Sequence, residues 1–194
     1  MTNDNSHIRA FIAIALPEDI KRSLQGLQGQ LRKSGIKASW PNPAAMHLTL
    51  KFFKSVPPIE IDAIKTGMTR ATKGIPVHTL FAAGLGVFPS VKNTRVIWSG
   101  TKGQIDILKK LTYRLEDILS KDMGIKKENR RFLPHLTLAR IKQPIFPKTM
   151  IKIIDDFQAF QSDDFSASRV SLFQSVLTSS GPVHKNIFSA PFKN

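Results

Sequence analysis

The sequence predicts an α+β fold, and three observations carry that prediction. Strand-like segments fall in pairs between amphipathic helices instead of alternating with them one for one, which favours antiparallel over doubly wound parallel sheets. About four helices and seven strands can be read along the 194 residues. Neither a Gly-x-Gly-x-x-Gly nor a Gly-Lys-Ser/Thr segment occurs, which argues against Rossmann or P-loop nucleotide binding.

Residues 9–16 (RAFIAIAL) are apolar and bounded by Pro17, the pattern of a buried strand. A helix follows from Pro17. Ile20, Leu24, Leu27 and Leu31 recur at helical spacing, Glu18 and Asp19 suit its first turn, and Gly35 marks its end. Residues 46–53 read as a strand, with Pro57 and Pro58 closing the loop after it. A second helix is predicted over 59–72, with Ile61, Ile64 and Met68 on one face. Strands are predicted at 77–85 and 94–98, separated by a turn around Pro89. Ile105, Leu108, Leu111, Leu115 and Ile118 define a third helix ending near Gly124. Residues 132–141 are strand-like again, 148–157 a short helix, and 169–177 with 183–188 a closing hairpin around Ser179-Ser180-Gly181-Pro182.

The length suffices for one large domain or two small lobes sharing a core. No apolar run approaches the roughly 20 residues a membrane helix needs. The polar N-terminus lacks the basic-then-apolar order of a secretory signal, so a cytoplasmic protein without membrane association is expected. The absence of cysteine excludes disulfides, thiolate zinc sites and cysteine nucleophiles. Lys and Arg total 29 against 14 Asp and Glu, a formal charge of +15. Such a surplus favours polyanionic partners, because neutralising phosphates releases condensed counterions. The basic residues are spread along the chain, with one denser cluster at Lys126, Lys127, Arg130 and Arg131, which suits either an RNA backbone or a solvated loop.

One feature stands out. His47-Leu48-Thr49-Leu50 recurs as His135-Leu136-Thr137-Leu138, 88 residues downstream, each copy on a predicted strand after a helix. A chance tetrapeptide repeat has a probability of about 0.2 in a chain of ordinary composition, so repetition alone settles little. The chemistry says more. Side chains alternate across a strand, so His47 and Thr49 share one face, as do His135 and Thr137, while the leucines face a core. Two such strands facing each other across a cleft would place two imidazoles and two hydroxyls around one small site. An imidazole titrates near pH ~6.5, so one can accept a proton while the other donates one near neutrality. The hydroxyls can donate to non-bridging phosphate oxygens as charge builds. No metal or cofactor is needed for this chemistry. A zinc site would require further ligands; His7, His78 and His184 are available, but no His-Glu-x-x-His spacing is present. A serine triad would require a Gly-x-Ser-x-Gly elbow, also absent.

These segments resemble the two-histidine (2H) phosphoesterase superfamily, and within it the RNA 2′,3′-cyclic phosphodiesterases, also named 2′-5′ RNA ligases. The likeness extends from residues 9–14 (RAFIAI) through 46–52 (MHLTLKF), 86–89 (GVFP) and 95–98 (RVIW) to 132–140 (FLPHLTLAR). It implies a single bilobal domain over 1–194, with two pseudo-symmetric lobes, antiparallel sheets around a central cleft and helices outside. It implies hydrolysis of an RNA or nucleoside 2′,3′-cyclic phosphate to the 2′-phosphate, with His47 as acid toward O3′ and His135 as base for water. Thr49 and Thr137 would hold the phosphate, Phe52 would meet the base and Arg140 the phosphate. Strand parity points Phe52 and Arg140 away from the histidines, so both need a strand end or a bulge to reach that face.

The chain departs from the family pattern at Phe53-Lys54, where Leu-Gly is usual, which puts a positive charge near the cleft entrance. It departs again at His184, where a tyrosine commonly follows the Ser-x-x-Gly turn, so the role of that tyrosine does not carry over. Trp40 and Trp98 suit either base stacking or the core. Two other readings stay open: action on 2′-5′ linkages or tRNA halves, and a non-catalytic module that binds RNA ends. The expected partners are RNA ends or cyclic nucleotides, and the expected state is a monomer.

Overall fold

The apolar run near the start of the chain becomes β1 (Ile8–Ala15), and Ala10 to Ile14 are all buried. The computed structural model describes residues 7–178 and 181–193. After β1 come α1 (Glu18–Lys33), a short β2 (Ala38–Ser39), β3 (His47–Val56) and α2 (Ile61–Ala71). A long hairpin of β4 (His78–Ser90) and β5 (Asn93–Gly103) leads into α3 (Ile105–Met123), then β6 (His135–Ile141) and α4 (Pro147–Asp156). The chain closes with β7 (Phe165–Ala167), β8 (Arg169–Thr178) and β9 (Gly181–Pro191).

The strands form two antiparallel sheets, ordered β3-β1-β8-β9 and β2-β6-β5-β4-β7. Each sheet owns one His-Leu-Thr-Leu strand, β3 in the first and β6 in the second. A strand–helix–strand unit builds each: β1, α1 and β3 in one lobe, β5, α3 and β6 in the other. The helices cover the sheets with the predicted stripes. Ile20, Leu24, Leu27 and Leu31 of α1 and Leu108, Leu111, Leu115 and Leu119 of α3 all enter one continuous core. Gly124, at φ +66°, ends α3 in the left-handed conformation, and the following Ile125 N–H reaches back to the Leu119 carbonyl. Among the described residues, no helix is long and apolar enough to cross a membrane.

The structure corrects several expected boundaries. The turn expected around Pro89 is strand: β4 continues through Pro89 to Ser90, and the chain reverses at Val91-Lys92, with Ser90 paired to Asn93. Proline is tolerated there because β7 covers only the His78–Leu80 end of β4, leaving no second ladder at Pro89 to lose a donor. β5 is correspondingly longer than the expected 94–98. The helix expected from 59 begins at Ile61, after a 3-10 turn at Pro58–Glu60. The two repeat strands start at the histidines themselves rather than at 46 and 132. β2 and β7, of two and three residues, are too short to leave a periodic trace and exist through pairing with β6 and β4. Of the expected closing turn, Ser179 and Ser180 lie outside the described residues.

Candidate active site

Leu48, Leu50, Leu136 and Leu138 are all buried, while His47, Thr49, His135 and Thr137 are half-buried. This is the alternation the repeat predicts. The alternation then breaks at the same point in both copies. On β3, Ala13 of β1 pairs with Thr49 and the adjacent Ile12 pairs with Lys51, so Leu50 is an extra residue. On β6, Trp98 of β5 pairs with Thr137 and Ile97 with Ala139, so Leu138 is extra. Each is a one-residue bulge that reverses the parity of everything after it. Phe52, paired with Phe11, thereby joins the face of Thr49 and His47. Arg140, paired with Val96, joins the face of Thr137 and His135. The α1 side chain of Gln28, only 2% exposed, supports the second bulge: its Nε2 donates to the Leu138 carbonyl at 2.8 Å and to that of Pro41 at 3.1 Å.

Both histidines are held the same way. His47 Nδ1 donates to the Ala45 carbonyl and His135 Nδ1 to the Leu133 carbonyl, each at 2.8 Å. A carbonyl only accepts, so Nδ1 carries the hydrogen and Nε2 is the nitrogen left to exchange a proton. The rings are then packed by aromatics. Phe11 stacks on His47 at 4.3 Å between centroids, and Phe88 meets His135 edge-on at 4.9 Å, with Trp98 at 6.1 Å.

β3 and β6 approach one another between the sheets. A cavity of about 1770 Å³ opens there, walled by Thr49 and Phe52 from β3 and by Phe88, Trp98 and His135 from the other lobe. Phe52, 41% exposed, presents its ring to this space under the guanidinium of Arg9. His47, Thr137 and Arg140 share the strand faces of these residues without forming that wall. Lys54 is exposed and lies outside this wall. Of the two tryptophans, Trp98 belongs to the cavity, whereas Trp40 packs on the core beneath Arg32.

The structure also places a third histidine in the site. His184 of β9 meets His47 edge-on at 5.2 Å and Phe11 at 4.8 Å. β9 is three strands from β3 in the sheet order, so only strong curling of the sheet brings these rings together. In the sequence His184 stands out only as a spare imidazole and a departure from a family pattern; nothing in its local spacing ties it to His47.

Burial dominates the electrostatics. It pushes His47 down to about 4, partly opposed by the Ala45 hydrogen bond and reinforced by His184. Burial also lowers His135, with the Leu133 carbonyl opposing it and the Arg140 guanidinium adding to it. His184 is lowered by burial as well. Among the described residues, no group of three or more His, Cys, Asp or Glu is arranged to hold a metal ion.

Residues 14–98 and 102–184 match the model of the LigT-like phosphoesterases. The chain belongs to this family. A Thermotoga maritima relative named RNA 2′,3′-cyclic phosphodiesterase is 32% identical over 186 residues, 96% of each chain. The crystal structure of a Thermus thermophilus protein superposes with a TM-score of 0.79 at 22% identity, covering 95% of this chain and 98% of that one. Escherichia coli LigT, solved with 3′-AMP, superposes with a TM-score of 0.74 at 18% identity, covering 97% and 99%. The two structures share the bilobal fold of this LigT-like phosphoesterase.

One glycine fixes part of the site of this phosphoesterase. A Cβ at Gly86 would run into the Trp98 ring, which packs on Phe88 at 5.1 Å and on His135. Gly86→Ala must therefore displace the Trp98 ring that packs beside His135. We expect kcat to fall by about 10²-fold from a misplacement of order 1 Å, with a loss of about 1–3 kcal/mol in denaturant unfolding from overpacking. Wild-type turnover in this variant would show that Trp98 does not hold the His135 imidazole.

Proposed function

We propose that this phosphoesterase hydrolyses the 2′,3′-cyclic phosphate at an RNA or nucleoside end to the 2′-phosphate, by acid/base catalysis through His47 and His135. The observation that carries this reading is the duplicated device. Each lobe offers a strand whose histidine has Nδ1 tied to a carbonyl two residues back and Nε2 without a hydrogen-bond partner among the described residues, followed by a threonine on the same face and a bulge. One imidazole takes a proton from water as it attacks phosphorus, and the other gives one to the departing O3′. Thr49 and Thr137 donate to the non-bridging oxygens, Arg140 adds charge beside the phosphate, and Phe52 stacks on the base. The name carried by the Thermotoga maritima relative supports the same substrate class.

His47 is the harder of the two imidazoles to charge in the free protein. Its assignment as the acid toward O3′ therefore requires the negative phosphate to raise it on binding, and no carboxylate among the described residues does so beforehand. The whole chain acts as one bilobal domain in this reading, as a cytoplasmic monomer on RNA ends or cyclic nucleotides.

Incubation with a 2′,3′-cyclic mononucleotide in chelator tests this. The expected product is the 2′-phosphate. The acid must be protonated to work, and both free-protein values lie below the usual 6.5, so kcat/KM should decline with rising pH from below 6.5. The same limb in kcat should lie at higher pH, because the bound anion stabilises the imidazolium. A 3′-phosphate product, or activity lost in chelator, would overturn the reading.

A further inference from the structure

We propose that the cavity continues beyond the two-histidine strands as a track for single-stranded RNA upstream of the terminal nucleotide, with Tyr113 as a stacking platform and Arg130 and Arg131 as phosphate contacts. The proposal rests on the cyclic-phosphate reading of the site. It adds where the rest of the substrate lies.

Size is the first support. Pockets for small ligands commonly enclose about 300–1,000 Å³, whereas this cavity reaches about 1770 Å³. One wall of it runs along α3. Ile105, Lys109, Thr112, Tyr113 and Glu116 wall it, one face of the helix over about 17 Å. Charge is the second support. Seven basic side chains and only two acidic ones contribute to the wall. Lys109 and Lys127 are engaged by Asp106 and Asp117. Lys102, Arg130 and Arg131 make no ion pair among the described residues, so their charge is available to an incoming polyanion.

Tyr113 is the third. The core stripe of α3 runs through Leu108, Leu111, Leu115 and Leu119, while Tyr113, the chain's single tyrosine, stands on the outer face at 71% exposure. An aromatic so placed contributes little to folding and offers a flat face on the same cavity wall as these cations, and aromatic faces with basic side chains are the combination that binds unpaired bases without sequence preference. A base inside a duplex has no such face to offer, which selects single strands. The arginines are held near this platform because their loop is tied to α3 and β3. Lys51 Nζ donates to the Lys126 carbonyl at 2.9 Å, Lys127 pairs with Asp117 at 2.8 Å, and the Glu128 N–H donates to Glu116 at 3.1 Å.

The test compares kcat/KM for a 2′,3′-cyclic mononucleotide, a short single-stranded oligonucleotide with the same cyclic end, and a duplex with that end. Wild type should prefer the single strand. Tyr113→Ala should lower its kcat/KM by roughly fivefold or more, and Arg130→Ala/Arg131→Ala should flatten its log–log salt dependence by about 0.7 per lost phosphate contact. Neither variant should alter mononucleotide turnover. Equal handling of mononucleotide and oligonucleotide, a duplex processed as well as a single strand, or variants without effect would each overturn the track. Anisotropy of a labelled single strand ending in a plain 3′-hydroxyl reads the track without chemistry. If that strand binds and the variants weaken it while nothing turns over, the catalytic reading falls and the track stands; turnover of the mononucleotide without such binding overturns the track alone.

Discussion

His47→Ala and His135→Ala are each expected to lower kcat by about 10²–10⁴-fold, the range for removing a positioned general acid or base. Both rings are half-buried, and each gives its Nδ1–H to a carbonyl two residues earlier, in the segment leading into its strand. Truncation should therefore leave the folded state intact by circular dichroism. The two losses should not add. Both imidazoles act in one transition state, so the double variant should fall little below the worse single one. The His-to-Ala pair also separates a catalyst from a binding module. A module would keep its affinity for RNA ends in all three variants and would have no turnover to lose. Near-wild-type kcat in either single variant would sink the two-histidine mechanism.

Lys51→Ala should cost about 3–5 kcal/mol of stability, the largest loss we expect away from the apolar core. The Lys51 side chain is 3% exposed. Its Nζ lies 2.9 Å from Glu116, itself 14% exposed, and 3.9 Å from Glu128. Removing the ammonium leaves the Glu116 carboxylate with its charge uncompensated, and one of its oxygens, Oε1, already lacks a partner among the described residues. Replacing both ends with apolar residues of similar size, as in Lys51→Met/Glu116→Leu, should recover most of the loss, because no lone charge then stays buried. Urea unfolding of the two variants measures this. Equal destabilisation by the single and double replacements would mean that packing, not charge, sets the cost.

The sequence reveals the two histidines but not the burial of Lys51. The histidines were visible in the sequence because a strand imposes a period of two. Once His47 and Thr49 alternate with buried leucines, and His135 and Thr137 do the same, one face is committed to chemistry and the other to the core. The pairing of strand segments and the helical stripes were legible for the same reason of periodicity. Lys51 was not legible. By strand parity it belongs beside Thr49, and only the bulge at Leu50 sends it toward α3.

Sequence periodicity alone thus determined the α+β class, the two His-Leu-Thr-Leu strands and which of their side chains face inward, since these follow from local geometry. Tertiary structure decided the rest. Register between strands sets the bulges that carry Phe52 and Arg140 to the histidine face, and register depends on the partner strand, not on the strand's own residues. Sheet curvature brings His184 of β9 against His47 of β3. The burial that lowers the His47 and His135 imidazoles depends on walls drawn from distant segments. A proton affinity is a property of surroundings, and surroundings exist only after the chain has folded.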